Sequence, residues 1–182
     1  MAIFNAEKLS DIVKQCIENK PKAQKELFDI LSPKMYAICL RYAKNNDEAK
    51  DILQEGFIKM FKYLGQFEGK GSFEGWVKRI FINTSIEFYR KAQREATTNS
   101  LDIAENQPFE SHILSNLKVD DLMAIVQKLP AGYRTVFNLF IIEGYGHEEI
   151  AKMLNVSENT SKSQLFKARQ HLQAIILKRN LK

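Results

Sequence analysis

Residues 147–173 have the sequence HEEIAKMLNVSENTSKSQLFKARQHLQ, and their pattern indicates how the C-terminal part of the chain folds. Ile150 and Leu154 belong to a short apolar stripe at helical spacing. Asn155, which follows, can adopt the left-handed backbone conformation of a tight turn, and Ser157 is suited to cap a second helix. Two short helices joined by such a turn predict a helix-turn-helix.

The second of these helices has two distinct faces. A helical wheel at about 100° per residue gathers the apolar side chains on one face, which should be buried: Leu165, Ala168, Leu172, Ile175 and Ile176. The opposite face carries short polar groups, an aromatic ring and a cation: Asn159, Thr160, Ser163, Phe166, Lys167 and Gln170. Such groups can contact base edges, a thymine methyl group and phosphates. No acidic residue follows Lys162, which also suits a phosphate-rich partner, although a solvated basic face is the plainer alternative.

Composition limits the kinds of protein that the chain can be. Its 182 residues suit one domain or two small helical domains, and a formal net charge of +5 favours a polyanionic partner. Cys16 and Cys39 lie far apart at apolar helical positions, which predicts reduced core residues. No apolar stretch approaches the roughly 18 residues of a membrane span, and the N-terminus lacks a signal-peptide pattern. We therefore expect a soluble, cytoplasmic protein.

Helical periodicity runs through nearly every segment, whereas sustained strand-like alternation is missing from the sequence. The sequence therefore predicts an all-α protein. A first helix is expected over about residues 6–19, and Pro21 should open the second. Pro33 falls inside the apolar pattern of that second helix, so we expect a kink or a break near Ser32.

Two further helices have candidate capping residues. Asn46 or Asp47 is expected to cap a third helix that runs to about Leu64. The glycine-rich loop 65–71 then leads to Ser72, which is expected to cap a fourth helix.

Between residues 95 and 122 the composition becomes acidic and the helical periodicity fades. This segment contains one cation, Lys118, and six carboxylates: Glu95, Asp102, Glu105, Glu110, Asp120 and Asp121. This pattern predicts an acidic, mobile linker. We expect two small helical domains, residues 1–94 and 119–182, joined by a flexible acidic linker over 95–118.

The third helix has an unusual outer face. Its core stripe consists of Ala49, Leu53, Phe57, Met60, Phe61 and Leu64. The side chains that face away, or lie at the flanks, are Glu48, Asp51, Ile52, Gln54, Glu55, Ile58, Lys59 and Lys62. An exposed isoleucine among carboxylates would suit docking against a basic partner helix. A solvated face that tolerates one isoleucine is the alternative.

The fourth helix and the loop before it combine cations with aromatic rings. The inward side chains are expected to be Phe73, Trp76, Val77, Ile80, Thr84 and Phe88. The outer side would carry Lys78, Arg79, Ile82, Asn83, Ile86, Tyr89 and Arg90. Cations interleaved with aromatic and amide groups suit a phosphate backbone with unpaired bases. Phe67, Lys70 and Phe73 could form a pocket for a flipped base, and an ordinary glycine-rich turn is the alternative.

Three blocks of the sequence, in this order, resemble the sigma factors of bacterial RNA polymerase, specifically the compact two-domain extracytoplasmic-function type. DEAKDILQEGFIKMF, residues 47–61, resembles the part of region 2 that docks on the polymerase. GSFEGWVKRIFINTSIEFYRK, residues 71–91, resembles the part that engages the −10 element. LPAGYRTVFNLFIIEGYGHEEIAKMLNVSENTSKSQLFKARQHL, residues 129–172, resembles region 4, which binds the −35 element.

The resemblance implies three functional surfaces. The surface for core polymerase would consist of Asp51, Gln54, Glu55 and Ile58. The −10 DNA surface would consist of Phe67, Lys70, Phe73, Lys78, Arg79, Asn83 and Arg90. The −35 DNA surface would consist of Asn159, Thr160, Lys162, Ser163, Gln164, Phe166, Lys167 and Arg169.

Some positions depart from the family pattern. Ser161 stands where a valine is usual, Asn159 where a glycine is usual and Gln164 where an arginine is common, so the −35 sequence preference cannot be transferred. Gly146 and His147 replace a more usual hydroxyl cap, which leaves the phosphate contacts there open.

The resemblance implies binding and no catalysis. The expected partners are core RNA polymerase, promoter DNA and an anti-sigma factor, with a monomer as the free state. The sequence indicates no catalytic residues, no metal site and no cofactor. Two alternatives remain: a helix-turn-helix regulator that binds duplex operators without polymerase, and a helical interaction protein with no nucleic-acid role.

Overall fold

The computed structural model describes residues 6–98 and 124–180, and every regular element in these two ranges is helical. The expected all-α fold is thereby confirmed. The seven longer helices are α1 (Ala6–Ile17), α2 (Pro21–Tyr42), α3 (Asn46–Tyr63), α4 (Phe73–Thr98), α5 (Ala131–Phe137), α6 (His147–Leu154) and α7 (Glu158–Asn180). Shorter elements are a 3₁₀ turn at Leu64–Gln66, a helical stretch at 124–127 and a π-helical segment at Asn138–Ile142.

The chain divides into two compact units, residues 1–85 and 86–182. The division falls within α4, which continues to Thr98 and so includes the first residues of the expected linker. Most of the linker predicted over 95–118 lies outside the described residues. The domain boundaries, and the acidic linker's mobility, therefore stay predictions.

In the first unit, α2 packs against both α1 and α3. Aromatic rings connect the helices: the Phe57 ring lies 4.5 Å from the Phe28 ring and 5.1 Å from the Phe81 ring, measured between centroids. Phe81 on α4 and Met60 on α3 are fully buried. Burying such large side chains is the main source of stability for a small helical unit.

Pro33 does not break α2, contrary to one of the two outcomes expected from the sequence. The helix is continuous from Pro21 to Tyr42, and Pro33 lies on its exposed side. Leu31 and Met35, on the buried side, remain in the core. A carbonyl that loses its partner on the exposed side can bond to water, so the packing of the buried side maintains the helix.

Most of the expected helix caps are present. Pro21 is the first residue of α2, and the N–H of Gly75 donates to the hydroxyl of Ser72 at 3.0 Å. The cap of α3 was assigned wrongly: it is Asn45, whose Oδ1 accepts from the N–H of Glu48 at 2.9 Å. The local sequence offers three candidate side chains in a row, and the backbone conformation decides among them.

The second unit is organised around α7, which packs against α5 and α6. Asn155 ends α6 with φ of 56°, so the predicted left-handed turn is confirmed. Arg134 on α5 is buried and donates to the carbonyl oxygen of Gln127 at 3.0 Å. This bond attaches α5 to the helical stretch that precedes it.

Candidate functional site

The second helix of the predicted helix-turn-helix is α7, and its N-terminus is capped as expected. The N–H of Thr160 donates to the hydroxyl of Ser157 at 3.0 Å. Leu165 and Ala168 are buried, whereas the Phe166 side chain is 61% exposed. The two-faced helix predicted from the sequence is therefore confirmed in its first half.

The core contact of α7 weakens toward its C-terminus. Leu172 and Ile175 are half-buried, and Ile176, which was expected on the buried face, is exposed. Leu177 is exposed as well. The wheel counts an apolar side chain as buried wherever the period continues, but burial also requires a neighbouring element.

The residues proposed for the −35 surface lie along the outer side of α7. Most of them are exposed: Asn159, Lys162, Ser163, Phe166, Lys167 and Arg169. Thr160 and Gln164 are half-buried, and Gln164 Oε1 is shielded from solvent. Lys162 forms an ion pair with Glu158 at 2.7 Å, and such an exposed pair is weak enough for a phosphate to replace it.

A contact that the sequence analysis missed lies behind this surface. Nδ1 of His147, the first residue of α6, lies 2.9 Å from the Ser161 hydroxyl oxygen on α7. Ser161 is fully buried, and the His147 ring is stacked on Phe140, with centroids 4.4 Å apart and planes at 24°. Both residues had been noted only as departures from the family pattern. No local sequence pattern indicated this contact, because the two residues lie 14 positions apart on different helices.

Glu149 makes one of the two hydrogen bonds of a capping box at the start of α6, and Gly146 has no side chain to make the other. Its Oε2 accepts from the N–H of Gly146 at 2.8 Å. The carboxylate also lies at the positive end of the helix dipole, where a negative charge is stabilising.

The outer face of α3 exposes the apolar side chain predicted there. Ile58 is 54% exposed, Asp51 and Gln54 are exposed, and Glu55 is half-buried. Lys59 lies 3.7 Å from Glu55 and partly neutralises it. An isoleucine surrounded by carboxylate and amide groups therefore faces solvent on this helix.

The outer face of α4 is narrower than the sequence suggested. Arg79, Asn83 and Arg90 are exposed as predicted, and Lys78 is half-buried. Ile82 and Ile86, both expected to face outward, are only 2% and 4% exposed, so these two assignments were wrong.

These assignments failed because the buried side of α4 covers more of the helix surface than one apolar stripe does. Phe81, Thr84 and Ser85 are also buried, and the Ser85 hydroxyl donates to the carbonyl oxygen of Phe81 at 2.8 Å. A hydroxyl that bonds its own helix can be buried at little cost, and a wheel counts it as polar.

A cluster of three aromatic rings connects the loop before α4, which contains Phe67, to the first turn of α4, which contains Phe73 and Trp76. The Phe67 ring lies 5.3 Å from Phe73 and 5.5 Å from Trp76. Phe73 is buried, whereas Phe67 and Trp76 are half-buried, so the latter two present the accessible ring surface. Trp76 had been assigned only to the core.

Two glycines give the loop its shape. Gly69 and Gly71 have φ of 72° and 83°, which a residue with a side chain rarely adopts. Lys70 lies between them and forms an ion pair with Glu68, so the predicted cation is at the loop's exposed end.

Two negative findings concern the described part of the chain, residues 6–98 and 124–180. No group of three or more His, Cys, Asp or Glu side chains is placed to hold a metal ion there. No helix in the same ranges is long and apolar enough to cross a bilayer.

The fold and its surfaces define a two-unit helical protein of the helix-turn-helix class. Comparison with known families makes this more specific. Residues 27–95 match the family model for sigma-70 region 2, and residues 120–172 match that for sigma-70 region 4.

Known proteins similar to this chain are named as RNA polymerase sigma factors. This chain is 30% identical to the RNA polymerase sigma-H factor of Pseudomonas aeruginosa, and the match covers 86% of this chain and 89% of that protein. It is 29% identical to the ECF RNA polymerase sigma-E factor of Escherichia coli, over 91% and 93% of the two chains. The fold is similar to that of the sigma factor RpoE in a co-crystal with the anti-sigma factor NepR from Bartonella quintana. That match has a TM-score of 0.50 and 22% identity, and it covers 83% of this chain and 94% of that one.

The chain belongs to the sigma-70 family, in the extracytoplasmic-function group of RNA polymerase sigma factors. It is a sigma factor that directs promoter-specific transcription by RNA polymerase.

Proposed function

We propose that this sigma factor docks on core RNA polymerase through α3 and directs it to promoters through two DNA-binding surfaces, on α7 and on α4 with its preceding loop. The observation that carries the proposal is the exposure of two large apolar side chains beside charged groups. Ile58 is 54% exposed on α3, and Phe166 is 61% exposed on α7. Apolar side chains of this size at the centre of a charged surface are typical of interfaces.

The α3 surface would bind a basic, helical part of the polymerase. Asp51 and Glu55 are one helical turn apart, and Gln54 and Ile58 continue the same face. In such an arrangement the isoleucine supplies buried apolar area, while the carboxylates determine orientation and exclude acidic partners.

The α7 surface would bind the −35 element in the major groove. The N-terminal part of a recognition helix enters the groove, and here it carries Asn159, Thr160 and Ser163. Phe166 is suited to contact a thymine methyl group, and Lys162, Lys167 and Arg169 to contact phosphates.

The loop and α4 would bind the opened −10 strand. Phe67 and Trp76 present ring surface on which an unpaired base can stack, with Phe73 as a buried support beneath them. Arg79 and Asn83 lie one turn apart on the exposed side of α4 and can contact the backbone and a base edge of the same strand.

The exposed apolar surfaces could also bind an inhibitor. An anti-sigma factor would inhibit the protein by covering one of these exposed apolar surfaces, and the free protein would be a monomer. The sigma factor itself would act by binding, without catalytic residues or a cofactor, and the polymerase would carry out the chemistry.

Reversing charges on α3 tests the docking surface. The combined change Asp51→Arg and Glu55→Arg should abolish association with core polymerase in a pull-down, because a basic partner would meet two cations. The fold should survive, because Asp51 is exposed and Glu55 is only half-buried, and substitutions outside the core usually change stability by about 0.5 kcal/mol or less. The matched control, Asp11→Arg with Glu18→Arg, reverses two exposed carboxylates at α1 and should bind normally. Normal binding by the α3 variant, with unchanged helicity, would contradict the docking assignment.

A further inference from the structure

The His147 imidazole lies at the junction of three elements of the second unit. It belongs to the first turn of α6, it is stacked on Phe140 of the π-helical segment, and its Nδ1 is 2.9 Å from Ser161 Oγ on α7. The hydrogen bond has one donor, which is the ring or the hydroxyl depending on the tautomer. The ring therefore connects the two helices of the helix-turn-helix to the segment that supports them.

The Ser161 side chain is buried, so its hydroxyl group depends on His147 for a hydrogen bond. It is 0% exposed, so water cannot replace a hydrogen-bond partner that is lost. A buried hydroxyl without a partner is costly, so α7 is most stable when Ser161 faces His147. A hydrogen bond also requires a narrow range of angles, whereas an apolar contact tolerates rotation and sliding.

We propose that the His147 and Ser161 pair positions the recognition helix and thereby determines how strictly the −35 sequence is recognised. The proposal rests on the assignment of α7 to the −35 element. Neither side chain needs to touch DNA for this role. The pair acts through the residues beside Ser161, and its contribution is to fix the rotation of α7 about its own axis.

The neighbours of Ser161 explain why a small rotation matters. Thr160 and Lys162 flank it in sequence, and Ser163 and Gln164 follow within the same turn. All four belong to the proposed −35 surface. Contacts to base edges depend on the angle at which a side chain approaches. A rotation of the first turn therefore weakens the contacts to the preferred bases and reduces the difference in affinity between base pairs.

Three variants separate positioning from simple stabilisation. Ser161→Ala removes the hydroxyl, and His147→Phe removes the ring nitrogens while keeping a ring against Phe140. Each single change leaves one polar group of the pair unmatched. The double variant removes both groups, and replacing both partners by apolar groups is close to neutral for stability.

The experiment uses the full chain with core polymerase and a promoter library that has a fixed −10 region and a randomised −35 region. Sequencing of the transcribed templates gives the preference for the best −35 sequence over its single mismatches, and thermal unfolding of the same proteins gives stability. We expect both single variants to lose about tenfold in this preference and to unfold at lower temperature. The double variant should regain thermal stability but keep the reduced preference.

The control and the alternative outcomes make the test decisive. His171→Phe replaces a histidine on α7 whose ring lies 5.6 Å from the Tyr133 ring, edge to face, and it should retain the wild-type preference. A double variant that regains both stability and preference would show a purely structural role and overturn the proposal, as would unchanged preference in all three variants. If the wild-type protein itself shows no −35 preference, the −35 assignment fails and the positioning role fails with it.

Discussion

The Phe81 ring on α4 lies directly against the backbone of Gly56 on α3. A Cβ atom at residue 56 would come within 2.5 Å of Phe81 Cε1 and 2.6 Å of Cδ1. Phe81 is 0% exposed and also packs on the Phe57 ring, so it has little freedom to move away. The glycine therefore permits the close approach of α4 to the helix that carries the proposed docking surface.

Gly56→Ala should destabilise the first unit, although alanine favours helices by about 1 kcal/mol over glycine. Overpacking a core costs about 1 to 3 kcal/mol, and here it should outweigh the helix propensity, because the clash is with a fully buried ring. Thermal unfolding followed by circular dichroism would measure a lower melting temperature. Gly65→Ala is the matched control, since a Cβ there meets nothing within 4 Å and φ is not positive. A variant at residue 56 as stable as that control would contradict the close packing.

Phe166→Ala should weaken binding of −35 DNA without weakening the fold. The side chain is 61% exposed, so little apolar burial is lost in the free protein, whereas a lost base contact costs about 1 to 3 kcal/mol. Lys162→Ala should weaken binding more at low salt than at high salt, because it removes a phosphate contact and the counterion release that goes with it. The measurement is promoter binding by the reconstituted holoenzyme at two salt concentrations.

Leu165→Ala is a comparison variant that should lower stability, in contrast to Phe166→Ala. Leu165 is 4% exposed, and truncating a buried leucine costs about 2 to 5 kcal/mol of stability. If Phe166→Ala behaves in this way, with lower stability and unchanged promoter preference, Phe166 has a core role and the assignment of the −35 surface is wrong.

Cys39 should be unreactive in the folded protein. Burial raises the pKa of the Cys39 thiol from its ordinary value of 9.0 to about 12. The reactive thiolate should therefore be about a thousandfold rarer at pH 8 than in an ordinary thiol. Burial also raises the pKa of the Cys16 thiol, so we expect neither cysteine to react with a thiol reagent until the chain is unfolded. Rapid labelling of Cys39 in the native protein would contradict its place in the core.

The raised pKa of Cys39 also predicts a pH dependence of stability. The neutral thiol is favoured in the folded state, so the contribution to the free energy of unfolding is complete below about pH 9. It should decrease as the pH rises toward about 12, because the unfolded chain ionises first. A Cys39→Ala variant should lack this part of the alkaline loss in urea unfolding.

Features set by local sequence could be predicted. The helix-turn-helix followed from Asn155, Ser157 and the apolar spacing, because a left-handed turn and an N-cap each depend on a few adjacent residues. The exposure of Ile58 and Phe166 followed from helical period alone. These residues lie on helices with one buried side, for which a wheel is a good approximation.

Features that depend on distant packing could not be predicted. Ile82 and Ile86 were placed outside because a wheel assumes one buried side, whereas α4 is enclosed on a wider arc. The contact of His147 with Ser161 joins residues on different helices, and that of Gly56 with Phe81 depends on how closely two helices pack. Neither is visible in the period of a single segment.

Transcription from promoter DNA by purified core polymerase is the most direct test of whether this chain selects promoters. Genomic DNA fragments would be transcribed by core polymerase alone, with the wild-type chain, and with the Asp51→Arg and Glu55→Arg variant. We expect discrete transcripts that begin at defined positions only when the wild-type chain is present. The absence of such transcripts from the wild-type reaction would contradict the proposed function. The same transcripts with the charge-reversed variant would contradict the docking surface on α3.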